Sequence, residues 1–246
     1  MTATPITSPR NPALSELRKL HRRRARQRAG RFVAEGEDLL AAADAAGWVA
    51  LERYCAAGSG LAGREVEPAA LAGASALGSG TRALGVFAQR HAIPVGPVCV
   101  GLWGVADPGN IGAVLRSAHA FGAASVALGP GCADPYGPKA VRASMGAIFG
   151  VGVAPVEDLD ALPLPRIALA PRAGAPLCGP LGPGEQATLV IGAERDGLPD
   201  DIVARCERTA HIPMRAGDSL NAAMAATVAL YELTRRDPAR DNRIAP

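Results

Sequence analysis

Leu14, Leu17 and Leu20 fall at helical spacing around the segment SELRKLHRRRARQ, which predicts a helix with one apolar edge and an otherwise cationic surface. FVAEGEDLLAAADAAG, residues 32–47, reads as a second helix closed by Gly47, and WVALERYC, residues 48–55, as a strand. Glu67 to Ala76 reads as a helix and ALGVFA, residues 83–88, as another strand. This alternation predicts a small α/β domain over residues 1–88, with a basic arm at 1–31. The two prolines of QRHAIPVGP, residues 89–97, mark a linker.

A second alternating run fills residues 98–246. VCVGLWGV (98–105), ASVALG (124–129), RIALA (166–170), ATLVIGAE (187–194) and HIPM (211–214) read as strands. Helices are expected at IGAVLRSAHAFG (111–122), around Pro138–Ile148, and over Leu220–Arg235. The last is almost wholly apolar, so it must be buried in the core or against a second copy of the chain. Repeated strand–helix alternation predicts a mostly parallel sheet covered on both faces.

Composition narrows the class. Of 246 residues, 48% are hydrophobic and 20% charged, which is the range of globular domains and not of disordered chains. No run of about 18 apolar residues lacks charge or breakers, so no membrane span is expected. The opening MTATPITSPR has no hydrophobic core after a basic stretch, which points to the cytoplasm and not to secretion. Cys55, Cys99, Cys132, Cys178 and Cys206 stand singly, without a CxxC and without pairing to the four histidines, so neither a metal site nor a disulfide framework is expected. The net charge is only +3, but residues 1–30 hold eight basic residues against Glu16 alone, a net +7, which leaves −4 on the remaining 216. A dense cationic segment, with Arg22, Arg23 and Arg24 at its centre, on a mildly acidic body is the footprint of a polyanion binder. With four Phe, three Tyr and two Trp, the chain is poorly equipped for a platform on which unstacked bases lie.

Three segments carry candidate chemistry. In DPGNIGAVLRSAHAFGA (107–123), a turn after a strand leads into a helix for which Asn110 is a suitable cap. The apolar stripe Ile111, Val114, Leu115, Ala118, Phe121 leaves Asn110, Arg116 and Ser117 nearer the rim at the strand ends, where α/β sheets put ligands. In LVIGAERDGLPDDI (189–202), a strand runs into Gly192, Glu194 and Gly197; the glycines allow close approach to backbone, and the carboxylate can accept hydrogen bonds. The segment matches neither a P-loop nor a GxGxxG fingerprint. In HIPMRAGDSLNAAMAATVALYEL (211–233), Ser219 precedes the long helix as a plausible cap and Asn221 sits in its first turn.

In that order and spacing, NxGAxxRSAxAFG, IGxExxGL and IPMxxxxSLN resemble the three motifs of the SpoU (TrmH) family of RNA ribose 2′-O-methyltransferases, in the SPOUT class. The resemblance is strong over about 97–235. It extends more loosely to PKAVRASMGAIF (138–149) and, at the front, to ITSPRNPALSELRKL and RFVAEGEDLL, which look like the RNA-binding domain of rRNA-directed members. It implies a methyltransferase domain with a deep trefoil knot, S-adenosylmethionine as cofactor, a homodimer, and RNA as substrate, rRNA ahead of tRNA. Carried over by motif position, Gly192, Ile212, Met214, Leu220 and Asn221 would hold the cofactor. Arg116 would be the principal catalytic residue, with Asn110, Glu194, Ser219 and Asn221 assisting, and Arg142 would join the arm in contacting RNA phosphate. Arg116 could act as a base or could hold a phosphate and stabilise developing charge; its residue type leaves both open. The chain departs from many relatives in SLNAAMA for SLNVSVA and in Arg195 where a glycine is common. The alternatives are a tRNA 2′-O-methyltransferase, a base methyltransferase, and a non-catalytic RNA-binding ribosome-assembly protein that uses the arm alone.

Overall fold

A computed structural model describes residues 4–76, 80–182 and 184–235. It divides into two compact units, Met1–Arg90 with Asp134–Gly150, and His91–Ala133 with Val151–Pro246. The expected ranges 1–88 and 98–246 extend at their ends over residues 1–3 and 236–246, outside the described ones. They also differ from the observed division in the segment 134–150, which groups with the N-terminal unit.

The basic segment forms two helices, α1 (Pro12–Leu20) and α2 (Arg23–Ala29), and not one, because Arg22 takes an extended conformation between them. Leu14, Leu17 and Leu20 are buried as their spacing predicts. The expected helix over 32–47 is instead strand β1 (Arg31–Glu35) followed by helix α3 (Glu37–Ala45). Gly36, at φ 108°, turns the chain between them, and pairing of β1 with a later strand overrides the local helical pattern. Strand β2 (Glu52–Ala56), strand β3 (Arg64–Val66), the short helix α4 (Pro68–Ala72) and strand β4 (Ala83–Ala88) follow. The sheet order is β1-β4-β2-β3, antiparallel except for β2 with β3.

The second unit opens with β5 (Val98–Leu102), α5 (Pro108–Ala120) and β6 (Ser125–Leu128). The chain then crosses into the first unit for α6 (Pro138–Ala143) and a 3₁₀ turn, Ala147–Phe149. Phe149 and Tyr136 from this excursion join Phe32, Trp48 and Phe87 in one aromatic cluster, with ring centroids 4.8 Å apart for Phe32–Tyr136 and 5.2 Å for Trp48–Phe149. At its root the buried Arg26 guanidinium donates to Asp134 at 2.6 and 3.0 Å. Arg26 is therefore a structural member of the basic arm, and a pair so buried is costly to break from one side.

The second unit resumes with β7 (Gly152–Pro155), β8 (Arg166–Leu169), the two-residue β9 (Ala175–Pro176) and β10 (Ala187–Ile191). Helix α7 (Asp200–Ala204), strand β11 (Arg208–His211) and helix α8 (Ala222–Thr234) complete it. All seven strands are parallel, in the order β7-β6-β5-β10-β8-β11-β9. Central strands buried end to end, such as β5 and β10, explain the continuous apolar runs in the sequence. Met214, expected at a strand end, lies in the loop beyond β11.

An ion cluster pins the amino ends of β8 and β11. The Arg166 guanidinium, 8% exposed, donates to Glu207 at 2.8 Å and Asp160 at 2.9 Å, and the Arg166 backbone N–H donates to Glu207 at 2.7 Å. These donors, the guanidinium first, hold the Glu207 carboxyl down at about 2. A carboxylate depressed in the folded state stabilises it fully above its unfolded value of about 4.3, and this contribution is lost as pH falls through about 2. Unfolding free energy from chemical denaturation should therefore drop between these two pH values, and Glu207→Gln should flatten that part of the profile while lowering stability at pH 7.

Candidate active site

The loops at the carboxyl ends of β8, β10 and β11 enclose a cavity of about 320 Å³ in the second unit. Its walls come from Leu169, Ala170 and Pro171 after β8, from residues 191–197 after β10, and from Ile212, Met214, Ser219 and Leu220 after β11, with Ala222 and Ala225 of α8 behind. The loop after β10 folds back on itself. The Ala193 N–H donates to Gly197 O at 3.1 Å and the Gly197 N–H to Ala193 O at 3.0 Å, with Gly197 at φ 68°. Gly192 passes under this hairpin so closely that a Cβ on it would stand 2.1 Å from the Gly197 carbonyl carbon and 2.3 Å from the Leu198 nitrogen. Only glycine fits there.

Two helix starts bring polar groups to the same place. Asp107 is the cap of α5, its carboxylate accepting from the Gly109 N–H at 2.6 Å, with Pro108 at the first helical position. Asn110, expected as the cap, lies one turn inside and is released for other contacts. Asn221, and not Ser219, caps α8, accepting from the Ala223 N–H at 2.9 Å. The Asn221 amide donates to Asn110 Oδ1 at 3.2 Å, and the Asn110 amide in turn donates to Glu194 Oε1. Three side chains about 84 and 27 residues apart in sequence thus form one hydrogen-bonded chain that ends on a cavity-lining carboxylate.

Of the residues expected to hold a cofactor, Gly192, Ile212, Met214 and Leu220 line the cavity, and Asn221 stands at the start of α8 beside it. Glu194 and Ser219, expected as catalytic, also line it. Arg116 does not. It lies on the exposed face of α5 and makes no hydrogen bond or ion pair with any described residue. Arg22, Arg23 and Arg24 are exposed in the first unit, whereas Arg142 there is engaged by the Asp38 carboxylate at 2.8 and 3.0 Å. Sequence reading missed Leu169, Ala170 and Pro171, whose signal was only their place at the carboxyl end of a parallel strand. It also missed Asp107 as a cap, although Asp followed by Pro is a recognisable helix start. Among the described residues no group of three or more His, Cys, Asp or Glu is arranged to hold a metal ion, and no helix is long and apolar enough to cross a membrane.

An all-parallel sheet with a glycine-floored cavity outside the carboxyl ends of its strands defines the class of α/β domains that bind a nucleotide-sized ligand at that edge. Comparison with known proteins makes this specific. The model of the SpoU rRNA methylase family matches residues 97–231, and that of an MRM3-like substrate binding domain matches residues 11–82. The chain belongs to the SpoU rRNA methylase family. It is 38% identical to the 23S rRNA (uridine(2479)-2′-O)-methyltransferase of Streptomyces viridochromogenes over 53% of this chain, an alignment that spans only 50% of that protein. It is 29% identical to an uncharacterized tRNA/rRNA methyltransferase of Synechocystis, covering 94% of this chain and 93% of the other. The crystal structure of an AdoMet-bound rRNA methyltransferase from Sinorhizobium meliloti matches over the whole of both chains, with a TM-score of 0.83 and 26% identity.

The Gly192 contact yields a direct test. Gly192→Ala must push the 193–197 hairpin away from β10, so it should lower the melting temperature by several degrees. It should also expose the hairpin to limited proteolysis. A variant with the wild-type melting curve and protection would show that the close approach is not needed.

Proposed function

We propose that the chain is an S-adenosylmethionine-dependent methyltransferase acting on a ribose 2′-hydroxyl of RNA, with 23S rRNA as the substrate class and a homodimer as the working form. The observation that carries this reading is the convergence of the second and third motif segments on one cavity, with Asn110 of the first motif hydrogen-bonded to its lining carboxylate Glu194 and to Asn221. The apolar walls, Ile212, Leu220 and Leu169 among them, suit the faces of an adenine ring, and the polar groups Glu194 and Ser219 suit its sugar or amino acid end. The AdoMet-bound Sinorhizobium meliloti structure and the ribose specificity in the name of the Streptomyces viridochromogenes relative agree with this cofactor and this target group.

When bound, the cofactor supplies a methyl group already activated on a sulfonium. The protein then has to set the ribose oxygen in line with that methyl group and dispose of the hydroxyl proton. The Asn110–Glu194 bond fixes the first turn of α5 against the cavity wall, so the rim does not reorganise as substrate enters. A guanidinium is a poor base, with a pKa above about 12. Exposed and without a partner among the described residues, Arg116 is suited to hold the phosphate next to the target ribose and to stabilise negative charge as it develops on the 2′-oxygen. A homodimer is supported by the one exposed stripe of α8: Met224, Val228 and Tyr231, spaced at i, i+4 and i+7, are 62%, 42% and 55% exposed. The knotted path of the C-terminal segment belongs to the same proposal, as does the arm's role in gripping RNA through Arg22, Arg23 and Arg24.

Transfer of a labelled methyl group to deproteinised large-subunit rRNA, small-subunit rRNA and tRNA tests the proposal. Label is expected in large-subunit rRNA, in a nucleoside whose 3′ bond resists alkali. Arg116→Ala should lower the rate about 10²–10³-fold while leaving cofactor affinity unchanged. Label confined to tRNA would move the substrate class. Label in an alkali-sensitive nucleoside would mean a base target. Cofactor binding absent from the wild-type protein would leave an RNA-binding protein only. The arm has its own signature. Replacing Arg22, Arg23 and Arg24 with Ala should weaken RNA binding and reduce the slope of log affinity against log salt by about 0.7–0.9 per lost phosphate contact. Cofactor affinity should stay as it is, and equal loss of both would make the arm structural.

A further inference from the structure

Helices α5 and α8 pack side by side and run in the same direction, their first turns joined by the Asn221–Asn110 bond. Between Ala222 and Leu230, α8 offers a single side chain with a hydrogen-bonding N or O, Thr227. Its Oγ1 lies 2.8 Å from the Ala223 carbonyl oxygen, to which it donates, and 2.6 Å from Ser117 Oγ on α5. With the Thr227 proton committed to Ala223, the Ser117 hydroxyl is the donor in the pair. Ser117 follows Asn110 by seven residues, two full turns on the same face, and Thr227 follows Asn221 by six. The two polar contacts therefore sit along one seam of the helix pair. A single contact leaves a helix free to swivel about it. Two contacts two turns apart set both its rotation and its register.

Arg116 is the residue next to Ser117, about 100° round the helix from the seam. Nothing else among the described residues holds its side chain. We propose that Thr227 is a positioning residue: through Ser117 it fixes the rotation of α5, and with it the direction in which Arg116 meets the RNA. This rests on the reading that Arg116 acts in methyl transfer. Thr227 does not line the cofactor cavity, so its effect separates from cofactor binding.

Thr227→Val keeps the shape and removes the acceptor. It should lower kcat for methyl transfer about tenfold or more, since small misplacements of a reacting group are costly. Affinity for S-adenosylmethionine, measured by calorimetry, should change less than about twofold, and amides 111–118 should exchange hydrogen faster. Thr227→Ser, which retains the hydroxyl, should restore kcat. The double variant Ser117→Ala with Thr227→Val leaves neither hydroxyl orphaned, so its melting temperature should recover while its kcat stays low. The proposal is overturned if kcat recovers together with the melting temperature in the double variant, or if Thr227→Val changes neither kcat nor exchange. A wild-type protein that methylates no RNA overturns the reaction reading instead, and the exchange rates, which need no RNA, then decide whether the latch exists.

Discussion

At Gly192 the backbone of β10 runs against the backbone of Gly197 and Leu198 with no room for a single carbon between them. That approach holds the 193–197 hairpin over the end of the strand. The hairpin forms part of the cavity wall and carries Glu194 to where the Asn110 amide can reach it. Asn110 is available only because Asp107 has taken over the capping of α5, and it is steadied from behind by Asn221, which caps α8 with its other atom. One glycine, two helix starts and a carboxylate thus make a rigid rim out of segments that are far apart in sequence. On the proposed function such a rim has a chemical use, because groups already fixed around a reacting centre need not reorganise during the reaction.

The first unit is organised by a different constraint. It is not closed by residues 1–90 alone: Tyr136 and Phe149 supply part of its aromatic cluster, the Trp48 indole donates to the Phe149 carbonyl at 2.9 Å, and the Arg26–Asp134 pair fixes where the excursion begins. This splits the cationic arm into two kinds of arginine. Arg26 is spent on the fold, whereas Arg22, Arg23 and Arg24 face solvent. Arg142, which charge alone would group with the latter, is held by Asp38 and keeps less of its charge for an outside partner.

Most strands and the alternation behind the parallel sheet were legible in the sequence, because buried parallel strands write themselves as unbroken apolar runs. ALGVFA, read as a strand over 83–88, is β4 to the residue. The misreadings have physical causes. RFVAE is indistinguishable from helix by local pattern and becomes a strand through its pairing with the distant β4, Arg31 opposite Ala88 and Glu35 opposite Leu84. Ser219 and Asn110 were each plausible caps by residue type, but caps are chosen by geometry, and Asn221 and Asp107 stood where the first free N–H groups point. The excursion of 134–150 could not be foreseen, since the residues that place it, Asp134, Tyr136 and Phe149, are unremarkable until the partners they meet are known. The motif residues themselves were legible. That Arg116 would stand outside the cavity was not, because spacing on a helix gives a face and not what lies opposite it.

The separation of Arg116 from the cavity has a consequence for how such a site can be tuned. The residues around the cavity are fixed by backbone contacts and by the carboxamide chain, so little can change there without loss of the site. On the proposed reading Arg116 is instead placed by the seam between two helices, and a seam can be adjusted by single side chains that touch no ligand. α8 is otherwise rich in alanine, with few bulky side chains to interlock with a neighbouring helix. Dispersion and burial favour contact there but are nearly indifferent to rotation. Directional bonds must therefore supply the specificity, and the described residues provide two of them, Asn221–Asn110 at the helix starts and Ser117–Thr227 two turns on. On the proposed reading the geometry of the reaction is thus divided between a backbone contact that tolerates no side chain and a helix seam held by a pair of hydroxyls.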